Sequence, residues 1–379
     1  MEQMKNGNHE DKTIESAMIF DQQTNDHFPN QFLWPKDHLS QTSTEKLNEQ
    51  VIDLQGFLSH DMEATLYAAN LVKESCISHG FFQVVNHGID LDMLALVQDH
   101  GHTFFKLPLT EKLKCKPKEG SVVGFASGHA QRFREKLPWK ELLTFEYHEN
   151  GPDEVVAEFF NAMGSQYRET GLIFQKFCRT MNKLALDLLD LLEISLGVDG
   201  HNHNYYRKLY DDAVSIVRCN HYPQCNKPDL TFGVGPHCDP TTLTILYQDL
   251  VGGLEVFMDN KWKSVQPYRE ALVINIGDTF TALSNGKYKS CLHRVSVNSL
   301  SPRLSLVFFL CPKGDRELKA PQELVEKDGK KEYPDFTWGE FLQFTQKNHR
   351  ADENTLHLFT KWLLTSKNCN AKTARGGNK

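Results

Sequence analysis

The sequence has no CxxC pair and no regular cysteine framework; its nine cysteines (76, 115, 178, 219, 225, 238, 291, 311, 369) are odd in number and scattered through 379 residues. That excludes a zinc finger or a thioredoxin-like site, and it reads as a reduced, intracellular chain. No apolar run approaches the ~20 residues that span a bilayer, the longest being Leu306 to Cys311. The first thirty residues have no apolar core behind a basic start, so no secretory signal is expected and the expected compartment is the cytoplasm. Positive charge is not in excess, with 42 Lys+Arg against 49 Asp+Glu for a net −7. No chain-wide field therefore attracts nucleic acid or an anionic membrane. A Walker-type loop, a strand-borne G-x-G-x-x-G and a G-x-S-x-G elbow are missing too, which argues against nucleotide-binding and serine-hydrolase chemistry.

Hydrophobic residues make up 40% of the chain, enough for a substantial core, and the composition excludes collagen, coiled coil and large-scale disorder. Residues 1–50 read as a polar, flexible leader, and Val51–Leu54 as a short strand. Leu66, Ala69, Val72 and Cys76 recur at helical spacing between Asp61 and His79, with Gly80 as a stop. Phe81–Asn86 reads as a strand, and 91–105 and 166–196 read as helices. The expected division is an N-terminal region over 51–160, a helical connection over 161–212, a core over 213–313, and C-terminal helices with a basic tail over 314–379. Within the core, Leu243–Leu246, Leu254–Met258, Ala271–Ile276, Leu292–Val297 and Leu304–Leu310 alternate with Gly252-Gly253, Asp259-Asn260 and Asn285-Gly286 turns. The predicted class is mixed α/β (α+β) with a jelly-roll core.

His237-Cys238-Asp239 is the first chemical candidate. On a strand, positions i and i+2 share a face and can reach one ion. With a distant second histidine they make the 2-His-1-carboxylate arrangement that leaves coordination positions open on Fe(II). About one His-x-Asp is expected by chance in such a chain, and His9-Glu10-Asp11 is a second instance. His237 differs by following a Gly/Pro loop and preceding the strand-like Leu243–Leu246. His293, in a later β run, is the candidate third ligand, although a hydrogen-bonded core histidine would look the same. Cys238 should face the other side of the strand and pack.

Arg303-Leu304-Ser305 places a guanidinium and a hydroxyl on one face of an apolar strand, suited to a carboxylate. Arg294-Val295-Ser296 repeats the pattern, but its side chains should point away from His293. Tyr222 could add a phenolic hydrogen bond to the same carboxylate. His201 and His203 read as loop decoration, and Lys106, Lys112, Lys114, Lys116 and Lys118 as a solvated face.

From about Val51 to Pro312 the chain resembles the plant-type 2-oxoglutarate- and Fe(II)-dependent dioxygenases, and more narrowly the gibberellin 20-oxidases. The resemblance is carried by Asn220-His221-Tyr222-Pro223-Gln224-Cys225, Gly235-Pro236-His237-Cys238-Asp239-Pro240-Thr241-Thr242, Asn275-Ile276-Gly277-Asp278-Thr279 and Leu137-Pro138-Trp139-Lys140-Glu141. It implies a double-stranded β-helix in which His237, Asp239 and His293 hold Fe(II). Tyr222, Arg303 and Ser305 would bind the far carboxylate of 2-oxoglutarate, Arg303 being also the candidate catalytic residue. O2 would be the oxidant and ascorbate the reductant. The implied substrate is a diterpenoid acid, a carbon-20 gibberellin oxidised stepwise at carbon 20, handled by a monomer without nucleic acid or membrane. Arg132, Arg134, Lys136, Trp139 and Lys140 are the candidate substrate contacts, though a solvated basic loop would read alike. The chain departs from the family pattern at Leu142-Leu143-Thr144-Phe145, His221 and Gln224, positions that bear on substrate preference. A sister dioxygenase acting on another gibberellin carbon or a flavonoid, and a binding module that has lost catalysis, are the alternative readings.

Overall fold

Side-chain alternation along Arg303–Leu310 sets the architecture. Leu304, Leu306, Phe308 and Leu310 join one apolar core, whereas Val307, with Arg303 and Ser305 in the same alternation, turns to a second. A strand buried on both faces needs a layer on each side. The computed structural model describes residues 28–39, 45–48, 50–128, 136–198, 204–348 and 355–376, with side chains except at 37, 38 and 366–376.

The described strands, in chain order, begin with β1 (Glu45–Lys46), β2 (Val51–Asp53), β3 (Phe81–Val85), β4 (Gly124–Ser127) and β5 (Glu141–His148). They continue with β6 (Val214–Tyr222), β7 (Val234–His237), β8 (Leu243–Gln248), β9 (Leu254–Met258) and β10 (Lys261–Ser264). The series ends with β11 (Leu272–Ile276), β12 (His293–Val295), β13 (Arg303–Leu310), β14 (Glu317–Leu318) and β15 (Phe336–Thr337). The major sheet runs β2-β3-β11-β8-β13-β6-β5-β4 and the minor sheet β1-β10-β9-β12-β7, with β14 and β15 a separate pair. The two larger sheets face each other across a core that includes Tyr222, Leu246, Val256, Val273, Val295 and Val307. This is the jelly-roll (double-stranded β-helix) core within a mixed α/β chain.

The outer face of the major sheet is covered by helices α1 (Met62–Ser78), α2 (Leu91–Phe105) and α3 (Arg168–Leu196). Asp61 caps α1 by accepting from the Ala64 amide, as an N-terminal aspartate does. The 29-residue α3 buries a continuous stripe including Phe174, Phe177, Met181, Leu188 and Leu192, which presents one apolar face every 3.6 residues. A short helix α4 (Asp278–Leu283), entirely buried, follows β11 directly; six residues are too few for a helical spacing to show in the sequence.

The leader expected to be flexible is packed in its described part. Phe32 is wholly buried against Trp139, and Leu47 joins the core between the sheets. Residues 1–27 lie outside the described residues, as do His9, His201 and His203. Among the described residues no helix is long and apolar enough to cross a membrane.

Candidate active site

Antiparallel pairing of β7 with β12 sets His237 directly opposite His293, and Asp239 follows two residues beyond the end of β7. Their ligand atoms lie within 4.8 Å of one another, the group of three among the described residues that could hold a metal. The Asp239 oxygens stand 3.5 Å from His237 Nε2 and 3.8 Å from His293 Nε2. Each imidazole spends its other nitrogen on a backbone carbonyl: His237 Nδ1 lies 2.9 Å from Gly235 O and His293 Nδ1 3.0 Å from Cys291 O. A carbonyl only accepts, so both Nδ1 atoms carry a proton and both Nε2 atoms face Asp239. Burial, then the neighbouring His237, push His293 down to about 4 against the pull of Asp239, so it is neutral at pH 7. Burial works against the Asp239 charge, but a proton on His293 or His237, together with the hydrogen bond from the Thr244 hydroxyl, outweighs it and holds the carboxyl below its ordinary range. Two imidazoles and a carboxylate on one side are the donor set that suits Fe(II).

The surrounding shell fixes the carboxylate. Thr244 donates to Asp239 Oδ2 at 2.6 Å, and the Asp278 amide donates to the Asp239 carbonyl at 2.8 Å. Asp278 itself is buried, and burial raises its carboxyl to about 7. Gly277 sits so close beneath this loop that an added Cβ would lie 2.0 Å from Thr241 O. Sequence reading did not find Thr244 or Gly277, because neither residue type points to a metal without the fold.

Further along the barrel, Arg303 pairs with Tyr222 across β13 and β6, and Ser305 with Asn220. The guanidinium stacks over the Tyr222 ring at 5.0 Å and donates through Nη2 to Gln248 Oε1 at 2.8 Å. Among the described residues, Arg303 Nε and Nη1 and Ser305 Oγ are buried with no hydrogen-bond partner. Three buried polar atoms left over, two of them on one guanidinium, fit the two oxygens of a carboxylate. Asn220 and Gln248, on the same inner face, are functional neighbours that the sequence reading passed over. Asn220 was legible: it lies two residues before Tyr222 and so on the same strand face.

The remaining sequence candidates separate. Lys140 is buried, with Nζ 3.1 Å from Asn220 Oδ1, one side chain from Ser305. Trp139 donates its indole N–H to Pro223 O and stacks on Phe28 at 5.2 Å. Lys136 is half-buried; Arg132 and Arg134 lie outside the described residues. Arg294 turns away from the triad into a buried pair with Glu255, stacked on Trp262, as its alternation required. Cys238 supplies no ligand atom and neighbours Asp278 and Ser290. One expectation is corrected: Lys112 is not on a solvated face. It is 2% exposed and donates to Glu141 at 2.8 Å, because the turn after α2 tucks it under β5, where Glu141 also meets His221 at 3.2 Å.

Comparison with known proteins follows the same lines. The 2OG-Fe(II) oxygenase superfamily profile matches residues 213–312, and the profile of the non-haem dioxygenase N-terminal region in morphine synthesis matches 50–165. The chain is 48% identical to gibberellin 20 oxidase 3 of Arabidopsis thaliana, over 93% of this chain and 95% of that one. It is 46% identical to gibberellin 20 oxidase 2 of Oryza sativa subsp. indica, over 92% and 88%, and 47% identical to gibberellin 20 oxidase 1-B of Triticum aestivum, over 89% and 92%. Among solved structures, JOX2 in complex with 2OG, Fe and JA superposes with a TM-score of 0.77 at 27% identity, covering 91% of this chain and 97% of that one.

Proposed function

The chain belongs to the gibberellin 20-oxidases of the 2OG-Fe(II) oxygenase superfamily, Fe(II)- and 2-oxoglutarate-dependent enzymes that oxidise carbon-20 gibberellins, and we propose how its residues divide that work. His237, Asp239 and His293 would hold the iron, and Arg303, Ser305 and Tyr222 the far carboxylate of 2-oxoglutarate. When bound, iron and 2-oxoglutarate supply the oxidising chemistry: O2 is consumed, the keto acid leaves as succinate and CO2, and carbon 20 is oxidised. The observation that carries this division is the pair of half-satisfied sites on one barrel interior. Three ligand atoms converge at one point, and buried, unpartnered Arg303 and Ser305 atoms stand farther along.

The chain's own contribution is positioning. The carbonyls of Gly235 and Cys291 keep both imidazoles in one tautomer, Thr244 orients the carboxylate, and Gln248 aims Arg303. Lys140, whose ammonium is buried beside Asn220, is the cation proposed for a substrate carboxylate, since a buried charge favours an oppositely charged partner. The protein is proposed to act as a cytoplasmic monomer, with ascorbate keeping its iron reduced.

Purified protein incubated with a carbon-20 gibberellin, Fe(II), ascorbate, 2-oxoglutarate and O2 should yield carbon-20 alcohol, aldehyde and carbon-19 products by mass. Oxidation of a flavanone with carbon 20 untouched would transfer the assignment to a sister dioxygenase. In the same assay Lys140→Met should raise KM for the gibberellin while leaving that for 2-oxoglutarate near its original value.

A further inference from the structure

Gly235 is a glycine for room rather than for conformation. Its φ lies outside the left-handed region, yet an added Cβ would stand 2.1 Å from Cη2 of Trp34 and 2.7 Å from Cζ3. The indole of Trp34 thus fills the space where residue 235 would carry a side chain. The carbonyl of that same residue receives the Nδ1–H of His237. Trp34 comes from a segment upstream of both family profiles, which begin at residues 50 and 213.

The segment is fixed at several points. The Trp34 amide donates to Leu230 O at 3.0 Å, and its ring meets Phe232 edge-on at 5.2 Å. Earlier in the segment, Gln31 O accepts from the Leu137 amide at 2.8 Å. Phe28 and Phe32 flank the Trp139 ring at 5.2 and 5.0 Å. One short stretch, Phe28 to Trp34, therefore ties the backbone that carries His237 to the segment that carries Lys140.

We propose that Trp34 is a positioning residue for the metal site: its indole, seated on Gly235, sets the carbonyl that orients His237. A partner that acts on a metal ligand through its second nitrogen tunes metal affinity without touching the metal. The inference rests on the metal reading of the triad, and Asp239→Ala run in parallel separates the two. Iron retained in Asp239→Ala sinks the metal reading. Iron lost there but untouched in Trp34→Ala overturns this inference alone.

The test uses the full chain, metal-free and anaerobic, titrated with Fe(II) in the presence of 2-oxoglutarate and followed by the visible charge-transfer band of the complex, with melting curves recorded beside it. Trp34→Ala should weaken iron binding about tenfold and shift the band, whereas Trp34→Phe keeps most of the affinity. Phe341→Leu, a core change remote from β7, should lower the melting temperature without moving the iron affinity. Gly235→Ala should lose iron because the methyl meets the indole, and Trp34→Leu combined with Gly235→Ala should regain part of it. If Trp34→Ala does not fold, that double variant decides. Iron affinity and band unchanged in a folded Trp34→Ala, or a double variant binding no better than Gly235→Ala, would overturn the proposal.

Discussion

Thr244 donates a 2.6 Å hydrogen bond to Oδ2 of Asp239 from the strand that also carries Gln248, so one β-strand steadies both the His237–Asp239–His293 cluster and the Arg303 guanidinium. Removing the hydroxyl leaves the carboxylate in place but free to turn. Thr244→Val should weaken Fe(II) binding about tenfold, measured by anaerobic titration. Asp239→Ala, which deletes the anionic ligand, should retain neither iron nor turnover; near-normal activity in it would refute the triad.

Arg303 offers the carboxylate proposed for it a planar fork, with Nη2 already held by Gln248. Arg303→Lys substitutes a point charge and loses the two-point contact. KM for 2-oxoglutarate should rise at least tenfold, with a smaller change in kcat. Gln248→Leu should do the same more weakly, since it releases the fork rather than removing it. An unchanged KM in both would place the carboxylate on other residues.

The pair Lys112–Glu141 is almost wholly buried, with both side chains below 5% exposure. Breaking one side of such a pair leaves an uncompensated charge, which costs on the order of 3 kcal/mol. Lys112→Met should lower the urea midpoint accordingly. Glu141→Gln together with Lys112→Met should recover much of the loss; equal instability in the single and double variants would show that the charge is not the cause.

Asp278 gives the metal-free protein a pH signature. Burial raises its carboxyl from the ordinary 3.8 to about 7 in the folded chain, so between those values the folded state holds a proton that the unfolded state has released. Its contribution is fully present below about pH 4 and is lost as pH rises through 7. The span corresponds to on the order of 4 kcal/mol. Asp278→Asn lacks this titration, so relative to the parent it should gain stability between pH 5 and pH 8 in urea unfolding. A constant difference between the two proteins would refute the buried neutral acid.

The Arg303-x-Ser305 pair was legible because strand alternation makes it a statement about one face; the convergence of His237, Asp239 and His293 was expected from the same pattern, but Asp239 reaches its place from the residues just beyond β7 rather than from the strand. The helix over 91–105 and the ending of α3 at Gly197 were readable from periodicity and a glycine stop. Thr244, Gln248 and Gly277 were not, since their meaning comes from neighbours brought together only by the sheet. Lys112 misled because a lysine-rich stretch gives no sign that one of its members turns inward to an acid 29 positions away. Trp34 was hidden for the opposite reason: a polar leader masks one aromatic whose partner is a glycine some two hundred residues later.

The eight cysteines whose side chains are described are all unpaired and all but Cys238 buried, and burial pushes the thiols up, Cys115 to about 12 and Cys225 to about 11. A thiol needs both deprotonation and access to react. Each of the seven buried sulfurs is thus a built-in clock, silent toward an alkylating reagent until its own strand, helix or loop opens, so mapping adducts over time would chart the order in which the layers of the barrel come apart.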